Sequence, residues 1–319
     1  MGEISLQSET LRRRWPWVAG IGLAVILLCG LCVIIGLSVV VARQGISTGA
    51  AIALIRVEGV ILSGSPPSPW VSGAYSERII KQLERADEDG RVKAIILYIN
   101  SPGGSVVGSD EIYRALRRVR KPIVAAMGDV AASGGYYIAC GADYIYANPN
   151  TFTGSIGVVA TIPNAAELLD KLGIEAVILR SGPRKAEGNI FEKLSPEARE
   201  ILQRLIEDAY ETFVSVVAEG RGMDEEDVRA LADGRVYNGR QALELGLIDA
   251  LGDLDAAIEK AKELGKIRGE PRIIEYRRPP SLWEALLSGL AQVPRIEHLW
   301  PQMLEVPSGP VLEYRYVVP

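Results

Sequence analysis

Histidine is almost missing from this chain: in 319 residues there is only His298, set between Glu297 and Leu299 near the end. Hydrolysis by a Ser-His-Asp relay needs a histidine beside the nucleophile, and His298 would have to fold back over the molecule to serve. Cysteine is nearly as scarce. Cys29 and Cys32 fall inside an apolar run, where a C-x-x-C pair opens no soluble helix, and Cys140 is alone in the remainder. Redox chemistry and an intrachain disulfide beyond the apolar run are therefore not expected. There is no basic excess either: 35 Lys and Arg stand against 40 Asp and Glu, a net charge of −5. Such a chain offers phosphates no basic face, so a nucleic-acid partner is not expected.

What is present is a folded-domain composition, 48% hydrophobic and 24% charged, with one exceptional segment. From Trp17 to Ala42 no residue is charged, and about 20 apolar residues suffice to cross a bilayer as a helix. Arg12, Arg13 and Arg14 precede it and only Arg43 follows closely. The positive-inside bias then places residues 1–16 in the cytoplasm, a transmembrane helix at 17–42 and the rest outside, tethered to the cell membrane. A cleaved signal peptide is the rival reading, but its apolar core runs to only about 7–15 residues.

After a linker at 43–50, strand-like and helix-like segments alternate. Ala51–Val57, Val92–Ile99, Ile123–Met127 and Ala176–Leu179 are short Ile- and Val-rich runs with the character of buried strands. Ser76–Ala86, Asp110–Arg120 and Asn164–Leu172 have helical spacing. A longer helix should start at the N-cap Ser195, with Pro196 in its first position, and stop at Gly220. Further helices are expected near Glu225–Ala232, Gly239–Leu245 and Leu254–Leu264. The alternation predicts one α/β domain over residues 51–275. The 276–319 tail is irregular, with one helix near Leu282–Leu290.

The chemistry concentrates between Lys121 and Val158. A strand runs into Gly128–Ala132, then Ser133-Gly134-Gly135-Tyr136-Tyr137. A serine at a strand-to-helix turn exposes its hydroxyl, and the Gly134 N–H beside it suits an oxyanion. The plainer reading makes Ser133 a helix N-cap among glycines that only ease packing. A second glycine pair, Gly103-Gly104, closes the strand Val92–Ile99; in a parallel sheet both turns share the carboxyl edge. Without histidine, the base for Ser133 must be a lysine whose pKa burial lowers, since arginine stays protonated. Lys185 and Lys193 both stand in or beside the loop after Ala176–Leu179, and the residues alone do not choose between them.

Read together, Asn100-Ser101-Pro102-Gly103-Gly104, Ala131-Ala132-Ser133-Gly134-Gly135-Tyr136-Tyr137, Thr153-Gly154-Ser155-Ile156-Gly157-Val158, Ser181-Gly182 with Lys185, and Asp233-Gly234-Arg235-Val236-Tyr237 resemble the signal peptide peptidase A (protease IV) family of serine proteases. The resemblance spans most of residues 51–275 and is to the short, single-copy form. It implies Ser133 as nucleophile, Lys185 as general base, Gly104 and Gly134 as oxyanion donors, and Ser155 as the residue that orients the lysine. Arg184 departs from the family pattern, which often has a non-cationic residue there. The implied fold is the ClpP/crotonase type, repeated strand-strand-helix units around a twisted sheet. The implied partners are hydrophobic or unfolded peptides, remnant signal peptides among them, and further copies of the chain in a ring-like homo-oligomer. No cofactor and no metal is implied.

A protease of the same family with another membrane or unfolded substrate is the near rival. An acyl-CoA enzyme of the same fold class is more remote, because it needs neither Ser133 nor Lys185, and so is a scaffold without catalysis. The charge bias makes its own prediction. A cysteine-accessibility map should find residues 1–16 inside and residue 51 onward outside, and the opposite map refutes it.

Overall fold

The computed structural model describes residues 49–68 and 71–276, together with the backbone of 312–315. The chain opens with strands β1 (Ala51–Glu58), β2 (Ile61–Leu62) and β3 (Ala74–Tyr75), then helix α1 (Ser76–Glu88). Next come β4 (Val92–Ser101), β5 (Gly103–Ser105), α2 (Val106–Leu116), β6 (Ile123–Ala132) and α3 (Gly134–Ala139). β7 (Tyr144–Ala147), β8 (Phe152–Gly154), β9 (Val159–Ala160) and α4 (Ala166–Lys171) follow. The second half holds α5 (Pro196–Arg221), α6 (Glu225–Leu231), β10 (Val236–Asn238), α7 (Gly239–Glu244), β11 (Ala250–Leu251), α8 (Leu254–Leu264) and β12 (Arg272–Glu275). A last strand, β13 (Leu312–Arg315), comes from the tail. The expected membrane segment at 17–42 and the helix near 282–290 lie outside the described residues. Among the described residues no helix is long and apolar enough to cross a membrane.

β1, β4 and β6 form the middle of a sheet ordered β10-β8-β6-β4-β1-β12, with β7 also beside β6 and β11 beside β7. These pairs are parallel, except that β10 runs antiparallel to β8. A parallel sheet must be covered on both faces, which is why its strands read as nearly unbroken apolar runs. In β4 the alternation is direct. Ile95, Leu97 and Ile99 enter the larger core with Tyr136, Tyr137 and Phe213. Ala94 and Ile96 turn the other way, toward Ala257 and Ala261 of α8. Each buried Ile or Leu contributes about 1.5–3 kcal/mol, so these two layers, more than any surface ion pair, fix the frame.

The structure departs from the expected elements at three informative places. β6 continues five residues past Met127, because Val130, Ala131 and Ala132 pair with Phe152, Thr153 and Gly154 of β8. The expected turn at Gly128–Ala132 is thus strand, and Gly128 lies where a side chain would strike Tyr98 and Asn100. Ala176–Leu179 is not a strand. It is irregular, with Val177 76% and Leu179 92% exposed, so its apolar composition has found no sheet. The long helix begins as expected, the Ser195 hydroxyl accepting the Ala198 N–H at 3.0 Å. It does not stop at Gly220 but runs on to Arg221, with Gly222 left-handed at φ 63° as its C-cap.

Gly220 is inside the helix for a packing reason. A Cβ there would lie 2.4 Å from the Cys140 carbonyl oxygen, just beyond α3. Gly220→Ala is therefore expected to destabilise by about 1–3 kcal/mol despite alanine's better helix propensity. Denaturant midpoints decide the sign, and a more stable alanine variant contradicts the close approach.

Candidate active site

β4 and β6 are parallel neighbours, so the chain leaves both at one edge of the sheet, where open α/β sheets place their sites. Beyond β4, Ser101 is fully buried. Its hydroxyl donates to the Gly59 carbonyl at 2.6 Å and accepts the Gly103 N–H at 3.1 Å, holding the turn into β5. Gly104 has φ 152°, and a Cβ on it would come within 2.2 Å of the Ile61 carbonyl oxygen. Only glycine lets β5 lie this close to β2.

Beyond β6 the chain turns on Ser133, whose φ is 54° and ψ −119°. These are the angles of the first corner of a type II′ turn, a place normally held by glycine. The conformation is imposed from both sides: the Ser133 N–H donates to the Gly154 carbonyl at 2.7 Å, and its own carbonyl accepts the Tyr137 N–H at 2.8 Å. Ser133 occupies the N-cap position of α3, yet its hydroxyl makes no capping bond. The plainer reading, a serine there to cap, does not describe it. Gly134 heads α3, where the first N–H groups have no partner inside the helix.

The two turns touch. A Cβ on Gly135 would lie 2.9 Å from the Ser101 carbonyl oxygen, and α3 packs against β5. Ser155 joins the same edge, directly after the Gly154 whose carbonyl holds Ser133. It is buried, has φ 49°, and donates its N–H to the Arg235 carbonyl at 2.8 Å. The fold thus gathers Ser133, Gly134, Gly104 and Ser155. Two further buried hydroxyls, which the sequence reading assigns no role, hold this edge together: that of Ser101, and that of Thr153, which donates to the Ala131 carbonyl at 2.7 Å. A buried hydroxyl next to glycines was the signal. Cys140, at the end of α3, offers no rival nucleophile: burial pushes its thiol up to about 12.

The lysines divide differently. Lys185 lies exposed in a turn whose closing bond is its own N–H to the Gly182 carbonyl, 3.2 Å. Among the described residues nothing pairs with its amine, and no contact with Ser133 is made within the chain. Lys193 is ion-paired with Glu167 at 2.7 Å, and the hydrogen bond to that carboxylate raises its pKa, the wrong direction for a base. Lys121 has a pKa lowered by burial, but it stands before the amino end of β6 and donates to the Ala86 and Asp89 carbonyls at 2.6 and 2.7 Å. The length of β6, roughly 30 Å, separates it from Ser133, so its perturbation is structural.

Residues 115–268 match Peptidase family S49, and residues 66–153 match Clp protease. A Synechocystis protein provisionally named a protease is 43% identical, over 68% of this chain and 76% of its own length. An Enterococcus faecium protein provisionally named signal peptide peptidase is 39% identical over 71% and 67%. Protease 4 of Salmonella typhi is 37% identical over 76% of this chain, which spans only 39% of that longer protein.

The Ser133 corner yields a stability test. A left-handed L-residue costs about 1–3 kcal/mol, a strain that Ser133→Ala keeps and Ser133→Gly removes. The glycine variant is expected to be about 1 kcal/mol more stable than the alanine variant, after its greater unfolded-state freedom is counted. Thermal unfolding of the pair checks this, and an alanine variant of equal or greater stability means the corner is unstrained.

Proposed function

The chain belongs to peptidase family S49 and is a serine peptidase, and from that premise we propose that Ser133 is its nucleophile and Lys185 its general base. The observation that carries the reading is the Ser133 corner. A buried L-residue is held at φ 54°, its hydroxyl uncommitted to the helix it heads, between two turns rich in glycine. Strain of this kind persists only where the surroundings over-determine it, and it clusters at reacting centres.

In the proposed reaction the Ser133 Oγ attacks the scissile carbonyl carbon while its proton passes to the neutral Lys185 amine. The negative charge on the former carbonyl oxygen is met by the N–H groups of Gly104 and Gly134. Lys185 then returns the proton to the leaving nitrogen, the C–N bond breaks, and an ester on Ser133 remains. Water, deprotonated by the same amine, hydrolyses that ester and restores the serine. Ser155 orients the lysine.

A lysine accepts a proton only in its neutral form, which burial favours, so the proposed role requires Lys185 to be covered. The chain alone does not bury it. What supports assembly as the means is its setting: Leu172, Ile174, Val177, Leu179 and Phe191, around Lys185 in sequence, are all exposed. We infer a homo-oligomer in which a neighbouring copy covers this segment and the lysine of one copy meets the serine of the next. The proposed setting is an extracytoplasmic face of the cell membrane, anchored through residues 17–42. The proposed substrates are hydrophobic peptides, remnant signal peptides among them, with an unfolded membrane protein as the alternative. A relative's name, signal peptide peptidase, supports that class.

Ser133→Ala and Lys185→Ala should each lower peptidase activity by about 10³-fold or more, since nucleophile and base act as one unit, while Lys193→Ala changes little. Mixing the two inactive proteins and letting them reassemble should restore roughly a quarter of the sites, the share random pairing gives when serine and lysine come from different copies. No recovery after subunit exchange places both in one chain. The kcat/KM of the native enzyme should rise with pH, because the neutral amine is the active form. A profile flat from about pH 5 to 9 rules out a lysine base titrating there.

A further inference from the structure

β4 and β6 fall out of step just before the site. They pair regularly from Ile95 opposite Ile123 to Ile99 opposite Met127, and the next rung joins Ser101 to Ala131. Between these two rungs β4 advances two residues and β6 four, so Gly128, Asp129 and Val130 bulge against the single residue Asn100. The excess sets the level of the nucleophile. In unbroken register Ser101 would face Asp129, and Ser133 would stand four residues beyond that rung. With the break it stands only two beyond, as Gly103 does on its own side. The difference is roughly 7 Å, at about 3.3 Å per residue. The turns that carry Gly104 and Gly134 leave their strands at one height for this reason.

A bulge strands main-chain groups, which must find partners elsewhere. The Val130 N–H donates to the Asn100 side-chain oxygen at 3.2 Å, so a side chain takes the place of a ladder rung. Asn100 is itself anchored, its main-chain carbonyl accepting the Gly59 N–H at 3.0 Å. From the other side the buried Thr151 hydroxyl donates to the Gly128 carbonyl at 2.7 Å. Gly128 is bare where Asn100 needs room, since a Cβ there would lie 3.0 Å from both its Cβ and its Cγ. Without the Asn100 oxygen the Val130 N–H loses this acceptor, and β6 is freer to slide toward regular pairing, which carries Ser133 away from Gly104. We propose that Asn100 is a positioning residue for the hydrolysis: through Val130 it holds the bulge that levels the Ser133 corner with the Gly104 turn. This rests on the reading of Ser133, Gly104 and Gly134 given above.

The test compares Asn100→Ala, which removes the acceptor, with Asn100→Asp, which keeps an oxygen in its place, in the full-length chain. The Val130 amide should exchange faster with solvent in the alanine variant than in the native or aspartate protein. With a short fluorogenic peptide, the alanine variant should lose about 10- to 100-fold in kcat while KM stays within about twofold, the pattern of lost alignment. The aspartate variant should recover most of that rate. A peptidyl boronate, whose tetrahedral adduct on Ser133 sets an oxygen between the two donors, should bind the alanine variant more weakly by the factor lost in kcat/KM. Native kcat or native Val130 exchange in the alanine variant overturns the proposal, and so does a loss carried by KM or one that aspartate does not recover. An alanine variant that fails to fold also overturns it, because Asn100 then serves stability alone. If the native chain shows no Ser133-dependent hydrolysis, the reading of the serine fails first, and this role falls with it.

Discussion

One hydrogen bond organises the site: the Ser133 N–H to the Gly154 carbonyl, 2.7 Å. It is the last rung of the β6–β8 ladder, in which Ala132 already pairs with Gly154, and it pins Ser133 itself at a corner where an L-amino acid resists turning. Everything around it serves that corner. Small residues at Ala131, Ala132, Gly134 and Gly135 let α3 start against the end of β4, and the Thr153 hydroxyl ties β8 to the Ala131 carbonyl. Beneath, Tyr136 and Tyr137 are fully buried, so the helix cannot tilt to relieve the strain. The rigid core holds the serine in a conformation it would not choose.

How much of this was legible in the residues depends on whether the cause was local. Helix starts were: Ser195-Pro196 begins a helix by satisfying its own first N–H groups, and no distant contact is needed. The central strands were also legible, because burial on both faces leaves a continuous apolar run. The extension of β6 through Gly128-Asp129-Val130 was not, since it depends on β8, more than twenty residues away, and locally it has turn composition. Gly220 misled for the same reason. A glycine at a helix end and a glycine pressed against a carbonyl read alike in sequence. Ala176–Leu179 shows the converse error: β-branched residues without a sheet edge to join remain outside the sheet, and their apolar character points to some other surface.

The candidate site was legible in its serine half and only by family resemblance in its lysine half. Ser133 and Gly104 are specified by glycines whose need is steric and therefore visible. A base is specified by its surroundings, which a sequence does not display. Lys121 makes the distinction concrete. Its pKa is depressed by burial, yet its amine is spent on two carbonyls at the wrong end of β6. A perturbed lysine marks a reacting base only when geometry brings it to the nucleophile. Lys185 has the reverse condition, an amine unpaired among the described residues in a segment still open to solvent.

β5, which carries Gly104, lies in a second sheet ordered β3-β2-β5-β13-β9. The edge of a strand presents unpaired backbone groups that invite any extended chain, so it must be blunted or covered. β5 cannot be blunted by charge or proline without losing the glycines at Gly103 and Gly104, because their positive φ values and the 2.2 Å approach to Ile61 exclude a side chain. The edge is covered instead: β13 pairs with Gly103, Gly104 and Ser105 on one side and with Val159 and Ala160 on the other.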